Sequence, residues 1–185
     1  MPLEAPNNCW PANLQKFTDA LSNSVQFQSL VEAATAAAAL TRVFGQRLTH
    51  TRDGHAWTAD ELANLRYYGL VYGDPATPYG KHLQSNACYL PHGVAIVYLA
   101  RLVPERDLVN PGQGNTGLSD AHDRQWQNIV GTIIDQVLAW LDTNGGPYPI
   151  PSVEVSDNYE TPAENIANQG CWQTCEVTFS YGLRG

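Results

Sequence analysis

The chain has 185 residues, 43 % hydrophobic and 15 % charged, enough for one domain with its own core and the opposite balance to intrinsic disorder. Ten basic residues stand against 18 acidic ones, a formal net charge of −8, and without a cationic footprint tight nucleic-acid binding is not expected. The longest apolar run, residues 94–100, is far short of the about 20 residues of a membrane span, and Met1-Pro-Leu-Glu-Ala-Pro6 has neither the basic start nor the apolar stretch of a secretory signal.

The N-terminal segment, 1–45, reads as helical. Leu14, Phe17 and Leu21 recur at helical spacing after Pro11, and a second helix follows Ser24 with Phe27, Leu30, Val31 and Ala34 on one stripe. A break near Thr35 and a continuation to Val43 are expected. Gln46-Arg-Leu-Thr-His50 suggests a short strand and Arg52-Asp-Gly a turn. Thr58-Ala-Asp-Glu61 is a capping box, with a short helix expected to about Tyr68. Residues 72–86, with two Pro and two Gly, read as a long loop. The segment 46–86 is therefore expected to be a helix and a long loop.

The stretch 87–182 reads as a sheet-and-helix core. Residues 94–103 are apolar on both faces apart from Arg101, which predicts a strand in the interior of a sheet, ended by Pro104. A glycine-rich loop follows. Residues 120–142 then carry Trp126, Ile129, Val130, Ile133, Ile134, Val137, Trp140 and Leu141 within one arc of a helical wheel, with Arg124, Asn128, Asp135, Ala139 and Asp142 opposite. Ser119 or Asp120 caps the start and Asn144-Gly-Gly-Pro147 ends it. Ser152-Val-Glu-Val-Ser156 alternates as a strand, and an acidic loop is expected from Asp157 to Gly170. Residues 171–181 close the pattern with strict alternation, Cys171, Gln173, Cys175, Val177, Phe179 and Tyr181 facing one way and only Gln173 spoiling that apolar side. The expected fold is α+β: one domain over 1–185, a mostly antiparallel sheet covered on one face by the long amphipathic helix, with a helical N-terminal elaboration.

Candidate chemistry is sparse. Gly112-Gln-Gly-Asn-Thr-Gly117 matches a dinucleotide fingerprint in letters, but Pro104 and Pro111 separate it from the strand end where the motif must sit. His50, His55, His82, His92 and His122 show no metal-ligand spacing. Cys9, Cys88, Cys171 and Cys175 form no Cys-x-x-Cys pair and read as reduced thiols; a bridge from Cys171 or Cys175 to Cys9 or Cys88 stays open. Asp120/Asp123 and Glu160/Glu164 read as a solvated acidic face. No catalytic residue, no metal and no cofactor is expected. The acid is lopsided: residues 1–100 hold seven Asp/Glu and six Lys/Arg, whereas 101–185 hold eleven and four.

Gly93-Val-Ala-Ile-Val-Tyr-Leu-Ala-Arg101, the helix around residues 126–141, Val153-Glu-Val155 and Trp172-Gln-Thr-Cys-Glu-Val-Thr-Phe-Ser-Tyr181 together resemble the tail terminator proteins of long-tailed bacteriophages, the neck or tail-completion family. The resemblance covers about residues 87–182. It implies a non-enzymatic structural virion protein, a homo-oligomeric ring, commonly a hexamer, assembled in the host cytoplasm. Such a ring caps the tail tube, docks to the head connector and lets DNA pass without gripping it; no membrane is involved. An acidic lumen suits that passage, because like charge repels the phosphates. Glu105, Asp107, Glu154, Asp157, Glu160 and Glu164 are the candidate lumen or docking acids. The terminal strand is expected to offer an edge for a neighbouring subunit. The rival readings are a hydrolase in which His55, His82 or His92 meets carboxylates in a cleft, and a carbohydrate- or protein-binding module with Trp10 or Trp57 lining a groove.

Overall fold

The computed structural model describes residues 10–45, 58, 61, 64–73, 80–83, 89–103, 120–147, 149–160 and 171–182. In chain order these form α1 (Trp10–Asn23), α2 (Val25–Leu30), α3 (Ala36–Leu40), β1 (Val43–Phe44), β2 (Tyr67–Gly73), β3 (Gly80–Leu83), β4 (Tyr89–Val103), α4 (Asp120–Thr143), β5 (Ser152–Glu160) and β6 (Cys171–Tyr181). The main sheet runs β1-β2-β4-β6-β5, and β3 pairs with the start of β4 off that path. The β1–β2 pair is parallel and every other pair is antiparallel. The fold is α+β, with the long helix on one face of a mostly antiparallel sheet.

Register assigns the faces. Val43, Gly69, Val71, Val97, Leu99, Arg101, Gln173, Cys175, Val177, Phe179 and Val153 share one side, and α1, α2 and α4 cover it. The α4 stripe expected from the sequence supplies the core: Trp126, Val130, Ile133, Val137 and Leu141 are buried, while Ile129, Ile134 and Trp140 pack half-buried beside them. Arg124, Asn128, Asp135, Ala139 and Asp142 are exposed on the far side. From α1, the Phe17 ring lies 5.2 Å from Phe179 and 6.0 Å from Tyr181. At Gly69 an added Cβ would come within 3.0 Å of Leu21 and 3.2 Å of Phe27, so the lack of a side chain lets α1 and α2 press onto β2.

Two helix ends use the same device. Gly145 has φ 67° and Gly146 N–H donates to the Leu141 carbonyl, closing α4 in a Schellman turn. Glu32 has φ 57°, its N–H donates to the Ser29 carbonyl, and Ala33 N–H donates to the Gln28 carbonyl. That is the same turn after α2 with a glutamate where glycine is relaxed. Helices α2 and α3 begin at caps, Ser24 and Thr35, where the sequence places the start and the break. Ser24 Oγ accepts from Phe27 N–H and Thr35 Oγ1 from Ala38 N–H. In the capping box, Thr58 N–H donates to Glu61 Oε2 and Glu61 N–H to Thr58 Oγ1.

Several expectations are corrected. The second helix does not continue to Val43: α3 stops at Leu40, and Val43 starts a strand that pairs in parallel with β2. The helix expected to about Tyr68 ends earlier, because Tyr67 and Tyr68 already belong to β2. The 72–86 segment is not one long loop, since Tyr72 and Gly73 finish β2 and residues 80–83 form β3. Residues 157–160 are not the loop expected from Asp157, as β5 runs on to Glu160 and pairs with β6 along its length; residues 161–170 lie outside the described residues. The terminal strand is not an edge: β6 lies between β4 and β5, and β5 is the outer strand. The expected 46–50 strand, the Arg52 turn and the glycine motif at 112–117 lie outside the described residues.

Candidate functional site

A polar cleft of about 520 Å³ opens between α2, the first half of α4 and the ends of β2 and β4. Gln26, Ser29 and Glu32 line it from α2 and its turn, Gln125, Asn128 and Thr132 from α4, and Tyr67, Arg101 and Val103 from the strands. Arg101 is 8 % exposed and is fixed on three sides. Its Nε donates to Gln173 Oε1 at 2.8 Å, one terminal nitrogen to Gln125 Oε1 at 3.3 Å, and the other to the His122 carbonyl at 3.0 Å. The guanidinium lies 5.0 Å from the centre of the Trp126 ring, a cation–π contact in a desolvated setting. Gln173 is fully buried and passes the network on, its Nε2 donating to Asp123 Oδ1 at 3.3 Å.

The network explains two breaks in the sequence pattern. Arg101 was the exception on β4 and Gln173 the exception on β6; they are register partners on the same face. Each makes the other tolerable, because a buried polar group is costly only without its hydrogen bonds. Asp123 is therefore half-buried and engaged, not part of a purely solvated face. His122, in the first turn of α4, is half-buried and lines the cleft.

The candidate acids fall into two groups. Glu154 and Asp157 are exposed on β5, and Glu160 ends that strand. Glu105, Asp107 and Glu164 lie outside the described residues. By register Asp157 sits opposite Cys175 on the helix-covered face. Burial pushes the Cys175 thiol well above its ordinary value; its hydrogen bond to the Asp157 carboxylate and the charges of Asp157 and Glu176 push the same way. Cys175 is a free, buried thiol; Cys9 and Cys88 lie outside the described residues, which also give no side chain for Cys171. Outside them too are His50, His55, Trp57 and the side chains of Trp10 and His82; of the histidines in the rival hydrolase reading only His92 is described, half-buried on β4, and the tryptophan groove of the other rival lies outside the described residues. Among the described residues no three His, Cys, Asp or Glu side chains gather as metal ligands, and no helix is long and apolar enough to cross a membrane.

No protein-family model matches the chain, and no curated protein matches it in sequence.

Proposed function

We propose that the chain is a structural ring subunit of a tailed-bacteriophage neck, of tail terminator type, with no catalytic or cofactor role. The reading starts from the resemblance over residues 87–182 and is supported by one feature of the fold, the outer strand β5. Among the described residues nothing pairs with its outer side. It carries the exposed acids Glu154 and Asp157, and between them Val155 keeps 52 % of its surface exposed although its neighbour Val153 packs on the core. An unpaired edge with an exposed aliphatic residue is suited to receive another chain. Such a contact, made between different patches on two copies, is heterologous and closes into a ring when the rotation permits. The acids then line the lumen or the face that meets the head connector, where like charge keeps DNA sliding.

Reversing Glu154, Glu160 and Glu164 together to Lys tests the role of these acids while leaving the Asp157–Cys175 contact intact. Virion assembly and DNA ejection are measured separately. Normal assembly with slowed ejection is expected for lumen acids, and failed head joining for docking acids. Normal titre with normal ejection kinetics removes both roles from this strand and its flank.

A further inference from the structure

We infer that β5 of one copy receives the arginine-bearing segment 46–52 of the next, so that opposite ends of the sheet meet head to tail. This rests on the proposed reading of β5 as a receiving edge, and names what enters that edge and on which face.

The receiving side is a step at the end of the sheet. Helices α1 and α2 press onto β2 through Leu21 and Phe27. Beside them, α4 is tied to α2 by Gln136, whose Oε1 accepts from Ser24 Oγ at 2.8 Å and from Gln26 N–H at 3.0 Å. The other flank of α4 therefore looks toward β5. That flank carries Gly131, Ile134 and Leu138, by the turn of the helix. Ile134 and Leu138 are half-buried, and a Cβ added at Gly131 would meet nothing within 4 Å among the described residues. Val155 lies on the same, helix-covered face of β5, opposite Val177 of β6. Val177 is 1 % exposed and Val155 52 %, so the helical layer ends between these two strands. A strand added to the edge of β5 lays its alternate apolar side chains on that step. The step is rimmed by the exposed acids Asp135, Asp142 and Asp157, and from residue 125 to residue 183 the chain has seven Asp/Glu and no Lys or Arg. The segment that fits is basic with an apolar alternation.

The chain carries such a segment. Between Glu32 and Asp53 it has three Arg and no Asp or Glu. Within that stretch, Gln46-Arg-Leu-Thr-His50 reads as a short strand, with Leu48 on one alternation and Arg47 and Thr49 on the other. The segment follows β1, at the opposite end of the sheet from β5. Four strand spacings separate β1 from β5, about 19 Å, whereas a fully extended chain from Phe44 covers at most about 14 Å by Leu48. Arg47 and Leu48 therefore reach β5 only in another copy. Donor and receiver are different patches, so the contact is heterologous: each copy gives at one end and receives at the other, as a ring requires.

The test places a photo-cross-linking residue, Thr49→benzoylphenylalanine, in a mixture of isotopically light and heavy copies, with cross-linked peptides mapped and particle mass measured. Cross-links should join residue 49 of one isotopic form to β5 or to the Gly131–Leu138 flank of the other. Arg47→Glu should raise the concentration at which particles form by at least about tenfold, with the subunit's melting temperature unchanged, and Arg47→Lys by far less. Particles whose cross-links lie elsewhere or within one copy, or that form as readily with Arg47→Glu, would overturn this inference and leave the ring reading standing. Subunit mass alone at every concentration would overturn both.

Discussion

At the scale of single residues, Glu32 and Gly145 occupy the same position in two equivalent helix-ending turns. A side chain in the left-handed region costs about 1 kcal/mol relative to glycine, so Glu32→Gly should stabilise the fold by about that amount in a denaturant titration. Arg101 and Gln173 form a pair of opposite character. Arg101→Met should cost about 1–3 kcal/mol, as Gln173 and Gln125 lose a buried partner. Arg101→Met combined with Gln173→Leu should cost clearly less than the two single changes added, because each removes the other's reason to be polar. Cys175 gives a pH dependence with a definite sign. Its folded-state pKa lies above the ordinary value of 9.0, so as pH rises past 9 the unfolded chain loses this proton while the folded chain keeps it. Stability should then fall by about 1.4 kcal/mol per pH unit, and the Cys175→Ala variant should lack that component of the slope. These features were only half legible. Arg101 and Gln173 stood out as breaks in two apolar patterns, but their pairing needed the β4–β6 register, which no single segment encodes.

The elements divide by how much of their cause is local. The α4 face and its stop signal, the 94–103 part of the central strand β4 and the span of β6 were legible, because each carries its own periodicity and is buried by it, whereas residues 89–93 of β4 were not expected in the strand. Ile133 sits at the centre of that face with 1 % exposure. Ile133→Asp should destabilise the fold by about 4 kcal/mol or more, by burying an unpaired charge, and an unchanged melting temperature would refute the packing of α4. The strands β2 and β3 were hidden for the converse reason. Tyr67-Tyr-Gly-Leu-Val-Tyr-Gly73 is half-buried on one face and glycine-interrupted on the other, so its strand character comes from pairing with β4 and from the closeness that Gly69 allows to Leu21 and Phe27. The position of β6 inside the sheet was equally invisible, since a strand's rank in a sheet is a property of topology and not of its alternation. At the true edge, Val155→Lys should leave the melting temperature of the subunit unchanged and block assembly, if β5 receives a neighbour.

At the scale of the whole molecule, an acidic outer strand, β5, lies at one side of the sheet and a polar cleft opens between α2, α4 and the ends of β2 and β4. The excess of acid in residues 101–185 was plain from composition; the structure spreads it over α4 (Asp123, Asp135, Asp142), β5 (Glu154, Asp157, Glu160) and β6 (Glu176), and Glu105, Asp107 and Glu164 lie outside the described residues. Ring formation is the claim on which the functional reading depends, and particle mass tests it most directly. Light scattering on the purified protein across a wide concentration range should give one discrete multiple of 20.3 kDa, about 122 kDa for a closed ring of six subunits, with Val155→Lys returning it to the subunit mass. A particle of 20.3 kDa at every concentration would contradict the ring.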